Sequence, residues 1–165
     1  MPIPEFIASL RARIGNDLLL VPTVAVLARD VDNRLLLVQD RETGVWSCPG
    51  GIVEPNELPA DAAVRETWEE SHVFVALTRV AGVFGGNGCS TTYQNGDRLA
   101  WVATIFGARV VRGNPSGDGV ETSDARFFTD GEVATMTLRN STRMFLAGNA
   151  MTQPGTYFEP SNWKP

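Results

Sequence analysis

The apolar positions change rhythm several times along the chain. Over residues 4–14, Phe6, Ile7, Leu10 and Ile14 fall at helical spacing and share one face, which predicts a short amphipathic helix. Residues 23–29 and 34–40 are instead apolar runs around Asp30-Val31-Asp32-Asn33, the pattern of two strands and a turn. Helical spacing returns over residues 58–71, where Ala60, Ala63, Val64, Thr67 and Ser71 form a packing ridge. Further strands are predicted at 73–84, 99–112 and 125–128, and a last helix at 137–150. Between them, 85–96 and 115–119 are rich in turn formers and read as loops, and the Pro-containing tail, 151–165, reads as irregular. Strands, helix, strands and helix in this order predict an α/β fold, a mixed β-sheet with flanking helices in one domain over 1–165.

At 165 residues and 43% hydrophobic content the chain can fill one core and is short for two. Its formal charge of -5 gives no overall basic field, so general nucleic-acid binding is not expected. Cys48 and Cys89 do not make a disulfide framework and are expected as reduced thiols, Cys48 as a small residue beneath a loop. Residues 1–15 lack the apolar core of a signal peptide, and no run approaches membrane-span length, so a cytoplasmic location away from membrane is expected.

Chemistry concentrates between Gly50 and Val73. A helix turns about 100° per residue, so Glu66, Glu69 and Glu70 share one arc of about 100°, with the smaller Pro59 and Ala62 leaving room below. Like charges this close repel unless a cation lies between them, and an all-oxygen set suits Mg2+ or Mn2+. Arg65, one turn before Glu69, can pair with it, and Glu57 at the front of the helix is favoured by the macrodipole. The adjacent Gly50 and Gly51 let backbone approach a phosphate or metal closely. Without that loop and spacing, the same acids would read as an ordinary solvated helix face.

In order, Gly51, Glu57, Arg65-Glu66 and Glu69-Glu70 resemble the Nudix hydrolase signature, G-x5-E-x7-R-E-U-x-E-E-x-G-U, with U a bulky aliphatic residue. Six of its seven fixed letters match, and His72 stands at the last Gly. Trp46-Ser47-Cys48-Pro49-Gly50-Gly51 is similar to the family's W-x-x-P-G-G lead-in. The resemblance implies a Nudix-like α/β/α sandwich and a hydrolase using Mg2+ or Mn2+. It implies water attack on phosphorus in a nucleoside diphosphate linked to another moiety: a nucleotide sugar, ADP-ribose-like compound, dinucleotide or nucleoside triphosphate. It further implies Glu66, Glu69, Glu70 and the Gly51 carbonyl as metal ligands, one Glu serving as base, and Arg65 with Glu57 as orienting groups. A further acid from a distant loop is expected, with Glu121 the first candidate and Asp124 the second.

For a small-molecule nucleotide substrate, Gly50, Gly51, Arg98 and Tyr93 are the candidate contacts. Phe84 and Trp101 are further aromatic candidates whose plainer reading is core, and Arg139 and Arg143 further phosphate candidates whose plainer reading is solvated surface. His72, the single histidine, is expected to end its helix in the left-handed region rather than to catalyse. Phe158 and Trp163 in the tail are apolar enough to need cover, from this domain or from a second copy in a homodimer. A Nudix-fold module that senses a nucleotide without cleaving it is the alternative function.

Overall fold

In the computed structural model, which describes residues 4–93, 95–147 and 155–161, the first two apolar runs become β1 (Leu19–Arg29) and β2 (Leu35–Asp40). Asp30 closes the turn between them: one carboxylate oxygen accepts the amides of Asp32 and Arg34 at 3.0 and 2.8 Å, and Asn33 takes the left-handed conformation with φ 61°. Asn tolerates that region better than most residues, so the turn incurs little strain.

Upstream lies α1 (Glu5–Ile14), with Ile7 buried and Leu10 left 37% exposed. Downstream follow the two-residue β3 (Trp46–Ser47), α2 (Pro59–Ser71), β4 (Phe74–Phe84), β5 (Ser90–Thr92), β6 (Arg98–Arg112), β7 (Thr122–Phe128), α3 (Asp130–Thr135), α4 (Asn140–Ala147) and β8 (Tyr157–Phe158). The strands make one mixed sheet in the order β3-β2-β1-β6-β4-β8, with β7 paired to β2 and β5 to β6. Its centre is the parallel pair β1–β6, in register from Leu19↔Leu99 to Arg29↔Arg109.

The unbroken apolar runs have a direct cause, since both faces of the sheet are covered. Alternate residues of β1 enter different cores. Val24, Val26 and Ala28 pack with Ala62 and Ala63 of α2, while Ala25 and Leu27 pack with Phe84 and with Phe145 of α4. Leu35, Leu36 and Leu37 are fully buried, and each such side chain contributes about 1.5–3 kcal/mol of transfer free energy. The result is the three-layer α/β/α arrangement. Cys48 and Cys89 are free, buried thiols.

Several local expectations change. The segment 85–96 is not all loop, because Ser90–Thr92 adds β5 antiparallel to β6. A short helix, α3, occupies 130–135, nucleated by a capping box in which Thr129 and Glu132 exchange hydrogen bonds. The last helix starts at Asn140 instead of 137, because Leu138 bridges to Trp46 and the Arg139 amide donates to the Trp46 carbonyl at 2.8 Å. Residues 148–150 of the expected helix, and Trp163, lie outside the described residues. Ala60, expected on the packing ridge, is exposed in the first turn of α2. In the tail, β8 pairs in parallel with β4, and Tyr157 stacks on Phe84 with ring centroids 4.9 Å apart. Phe158 remains 68% exposed.

Candidate active site

Small residues bring α2 close to the sheet. Ala62, Ala63, Thr67 and Ser71 are buried, and the two hydroxyls bond back to the carbonyls of Ala63 and Thr67 at 2.7 and 2.5 Å, so neither is left unsatisfied. Pro59 starts the helix at a position where a missing N–H costs nothing. His72 ends it at φ 56°, with its amide donating to the Trp68 carbonyl at 2.8 Å.

The loop entering α2 is lashed along β1. Val26 donates to the Pro49 carbonyl and Val24 to the Gly51 carbonyl, both at 2.9 Å, and Val53 donates to Pro22 at 3.1 Å. Farther back, the Cys48 amide donates to the buried Thr142 hydroxyl of α4 at 3.0 Å. Both glycines are required by close approach. Gly50 has φ 155°, and a Cβ there would land on the Val24 carbonyl; a Cβ on Gly51 would collide with the Glu66 carboxylate. Asn56 in the same loop is left-handed, φ 67°.

Four acids surround Arg65 or lie behind it. Its guanidinium grips Glu57 through two bonds of 2.7 and 2.9 Å, and one nitrogen reaches Glu66 at 2.9 Å and Glu69 at 3.0 Å. Glu70 instead accepts the Gly50 amide at 3.0 Å. Glu66 and Glu70 are each only 8% exposed. Burial pushes the Glu66 carboxyl up to about 7 despite the attraction of Arg65, and Glu69 and Glu121 add repulsion. Glu70 is raised well above the carboxylate range, again by burial; the Gly50 amide opposes this, and Glu66 and Glu121 reinforce it. Glu57 goes the other way, held below its ordinary value by Arg65.

A cleft of about 420 Å3 opens over these groups, between α2 and the loop before β7. Glu66, Glu69 and Glu70 line one side; Asp118, Val120 and Glu121 line the other; Trp68 and His72 stand at the end of the helix. The loop is tied to α2: Ser116 donates its amide to Ser71 at 3.0 Å, and the Thr122 hydroxyl donates to the Glu70 carbonyl at 2.8 Å. Within it, one Asp118 oxygen accepts the amides of Val120, Glu121 and Thr122 at 2.8–2.9 Å. Among the described residues, no three acid, histidine or thiol side chains are placed to grip one ion together. Arg65 lies between Glu66 and Glu69 at hydrogen-bond distance from both. In chemistry, nevertheless, the set matches a hard divalent cation: oxygen donors only, two of them buried carboxylates.

A NUDIX domain model matches residues 19–147. The chain belongs to the Nudix family. A MutT-like protein of Streptomyces ambofaciens is 36% identical over 64 residues, which cover 39% of this chain and 41% of that one. A Bacillus subtilis (strain 168) protein, provisionally named an 8-oxo-dGTP diphosphatase, is 29% identical over 118 residues, 72% of each chain. The chain thus spans less than half the length of the first relative and about seven tenths of the second. Among solved structures, an ADP-ribose pyrophosphatase from Streptococcus suis superposes with a TM-score of 0.64 at 20% identity, covering 84% of this chain and 98% of the other. At that identity the likeness concerns the fold, the Nudix α/β/α sandwich.

The Nudix segment brings Glu57, Arg65, Glu66, Glu69 and Glu70 together with Gly50 and Gly51. Glu121 lines the same cleft; Asp124 lies on β7, paired with Arg126 at 2.5 Å. Arg98 and Tyr93 are not among the residues lining the cleft. Arg98, at the start of β6, donates to the Asn16 carbonyl at 3.2 Å and faces Asp17, because β6 begins beside the end of α1. Tyr93 is 53% exposed in the β5–β6 turn. Phe84 and Trp101 belong to the core. Arg139 pairs with Asp40 at 2.7 Å, and Arg143 donates to the Leu138 carbonyl at 3.3 Å. Sequence reasoning missed Trp68, Asp118 and Val120. Trp68 carried a signal, a large aromatic lying off the small-residue ridge of α2.

No helix among the described residues is long and apolar enough to cross a membrane.

Proposed function

We propose that this chain is a divalent-metal-dependent hydrolase that cleaves the phosphoanhydride of a nucleoside diphosphate linked to another group. One observation carries the reading: Glu66 and Glu70, each 8% exposed, lie side by side in an acid-lined cleft. Buried carboxylates are costly unless paired, and Arg65 is divided among Glu57, Glu66 and Glu69. A cation bridged to a phosphate chain would satisfy this excess of negative charge.

Glu66, Glu69 and Glu70 would hold Mg2+ or Mn2+, with Glu121 across the cleft. The Gly51 carbonyl would join them, having a second lone pair beyond the Val24 bond. When bound, the ion neutralises charge on phosphate oxygens and acidifies water. The chain does the positioning. Glu57 fixes the Arg65 fork, Arg65 orients Glu66 and Glu69, and the Gly50 amide holds Glu70. Water adds to phosphorus as the anhydride P–O bond breaks, and one carboxylate accepts the water's proton. The diphosphatase and pyrophosphatase names of the relatives describe the same bond class.

The test is product release from ADP-ribose, NADH, sugar nucleotides, dinucleoside polyphosphates and nucleoside triphosphates, with Mg2+ or Mn2+ and with Glu70→Gln alongside. Metal-dependent cleavage that the variant lacks is the expected result. No turnover across the panel, with a nucleotide still raising the melting temperature, would identify a binding module instead.

A further inference from the structure

We propose that Trp68, His72 and Val120 form a base-stacking subsite at the rim of the acidic cleft. It would take the aromatic ring of a nucleoside phosphate whose phosphates lie over Glu66, Glu69 and Glu70. The proposal deepens the hydrolase reading and rests on it for the placement of the phosphates.

Trp68 lies off the buried face of α2. The ridge of α2 that meets the sheet is made of Ala63, Thr67 and Ser71, and Trp68 keeps 45% of its surface exposed. It lines the cleft and sits beside a second ring. The His72 imidazole stands at 79° to the indole with centroids 6.0 Å apart, so the two planes make a corner. That corner is held in place. His72 Nδ1 lies 3.1 Å from the Ser116 hydroxyl and 3.2 Å from its carbonyl, which limits rotation of the ring.

Across the cleft, Val120 is 66% exposed, and its amide is pinned by Asp118 at 2.9 Å. The cleft therefore has an acidic floor and apolar rims. The two parts select different ends of one ligand. The floor repels bare anions and admits phosphate with a cation, whereas the rims offer π-faces and methyl groups to a planar ring. A nucleobase joined to a phosphate chain has both ends. A base-free sugar phosphate would satisfy the floor alone.

The test compares equilibrium binding of AMP and ribose 5-phosphate, with Mg2+ present, by calorimetry. Base–aromatic stacking of this kind corresponds to roughly 5- to 160-fold in affinity. Wild-type protein is expected to prefer AMP by that factor. Trp68→Leu should bring AMP to the level of ribose 5-phosphate, and Trp68→Phe should restore part of the preference. Both variants replace an exposed side chain, and circular dichroism checks their fold.

Equal binding of the two ligands by wild type, or an AMP preference untouched in Trp68→Leu, overturns the subsite. Either result leaves the hydrolase reading to its own panel. A Trp68-dependent preference for AMP in a protein that turns over nothing would keep the subsite and remove the hydrolase.

Discussion

Replacing Glu66 with Gln should stabilise the metal-free protein at alkaline pH. Glutamine keeps the volume of the side chain, and its amide oxygen can still accept from Arg65. What it removes is a charge that the fold holds at a cost. Burial raises the Glu66 carboxyl from 4.5 to about 7, so between these values the folded protein binds more protons than the unfolded chain. Metal-free stability therefore falls as pH rises through that window and stays low above it. At 1.36 kcal/mol per pH unit the cost is about 3 kcal/mol at pH 8.5, and the variant avoids it. For a chain of this length each kcal/mol moves the melting temperature by about 2–4 °C. Glu66→Gln should thus melt roughly 6–12 °C higher than wild type at pH 8.5 in EDTA, and at nearly the same temperature at pH 5. Excess Mg2+ should raise the wild-type melting temperature and leave the variant nearly unmoved. A variant that melts no higher than wild type at pH 8.5 in EDTA would refute the argument that Arg65 only partly offsets the burial of this charge.

Arg65→Ala strips the cation from Glu57, Glu66 and Glu69 and should cost about 3 kcal/mol, toward the low end for a broken buried pair because Arg65 is 29% exposed; urea unfolding at pH 8 reads the loss. Gly51→Ala places a methyl on the Glu66 carboxylate, and a displacement of about 1 Å there should lower turnover on the order of a hundredfold. Circular dichroism should show its fold retained, and unchanged kinetics would count against the packing described. Cys48 is buried, and that burial pushes its thiol up to about 12, so it should resist a thiol reagent at pH 8 until the protein is denatured.

The elements that were legible in the sequence are those with a long apolar period or a specific spacing. The β1–β2 pair and β6 bury side chains over many residues, and α2 carries the signature itself. What stayed hidden is short or non-local. No residue of α3 is buried, so only its cap marks it; β5 adds only three residues in a hairpin with β6, and β8 only two, to β4, far away in sequence. Residue type alone marks Arg98 and Tyr93, and neither lines the cleft, because β6 begins beside the end of α1. The grouping of Arg65, Glu66, Glu69 and Glu70 was readable from helical geometry and that of Glu57 with Arg65 from the family resemblance, but the burial of Glu66 and Glu70 was not. It arises because the Gly50–Gly51 loop packs against both carboxylates.

The segment between β3 and α2 has the shape of a loop and the bonding of a core strand. Its Cys48 amide ends on Thr142 of α4, its Gly50 amide on Glu70 of α2, and its Val53 amide on Pro22 of β1, while its carbonyls receive Val24 and Val26. Three separate elements must therefore separate before these amides meet solvent. In hydrogen-exchange terms, the glycine loop has no private opening event and should exchange with the slowest cooperative unit of the domain rather than with its surface turns.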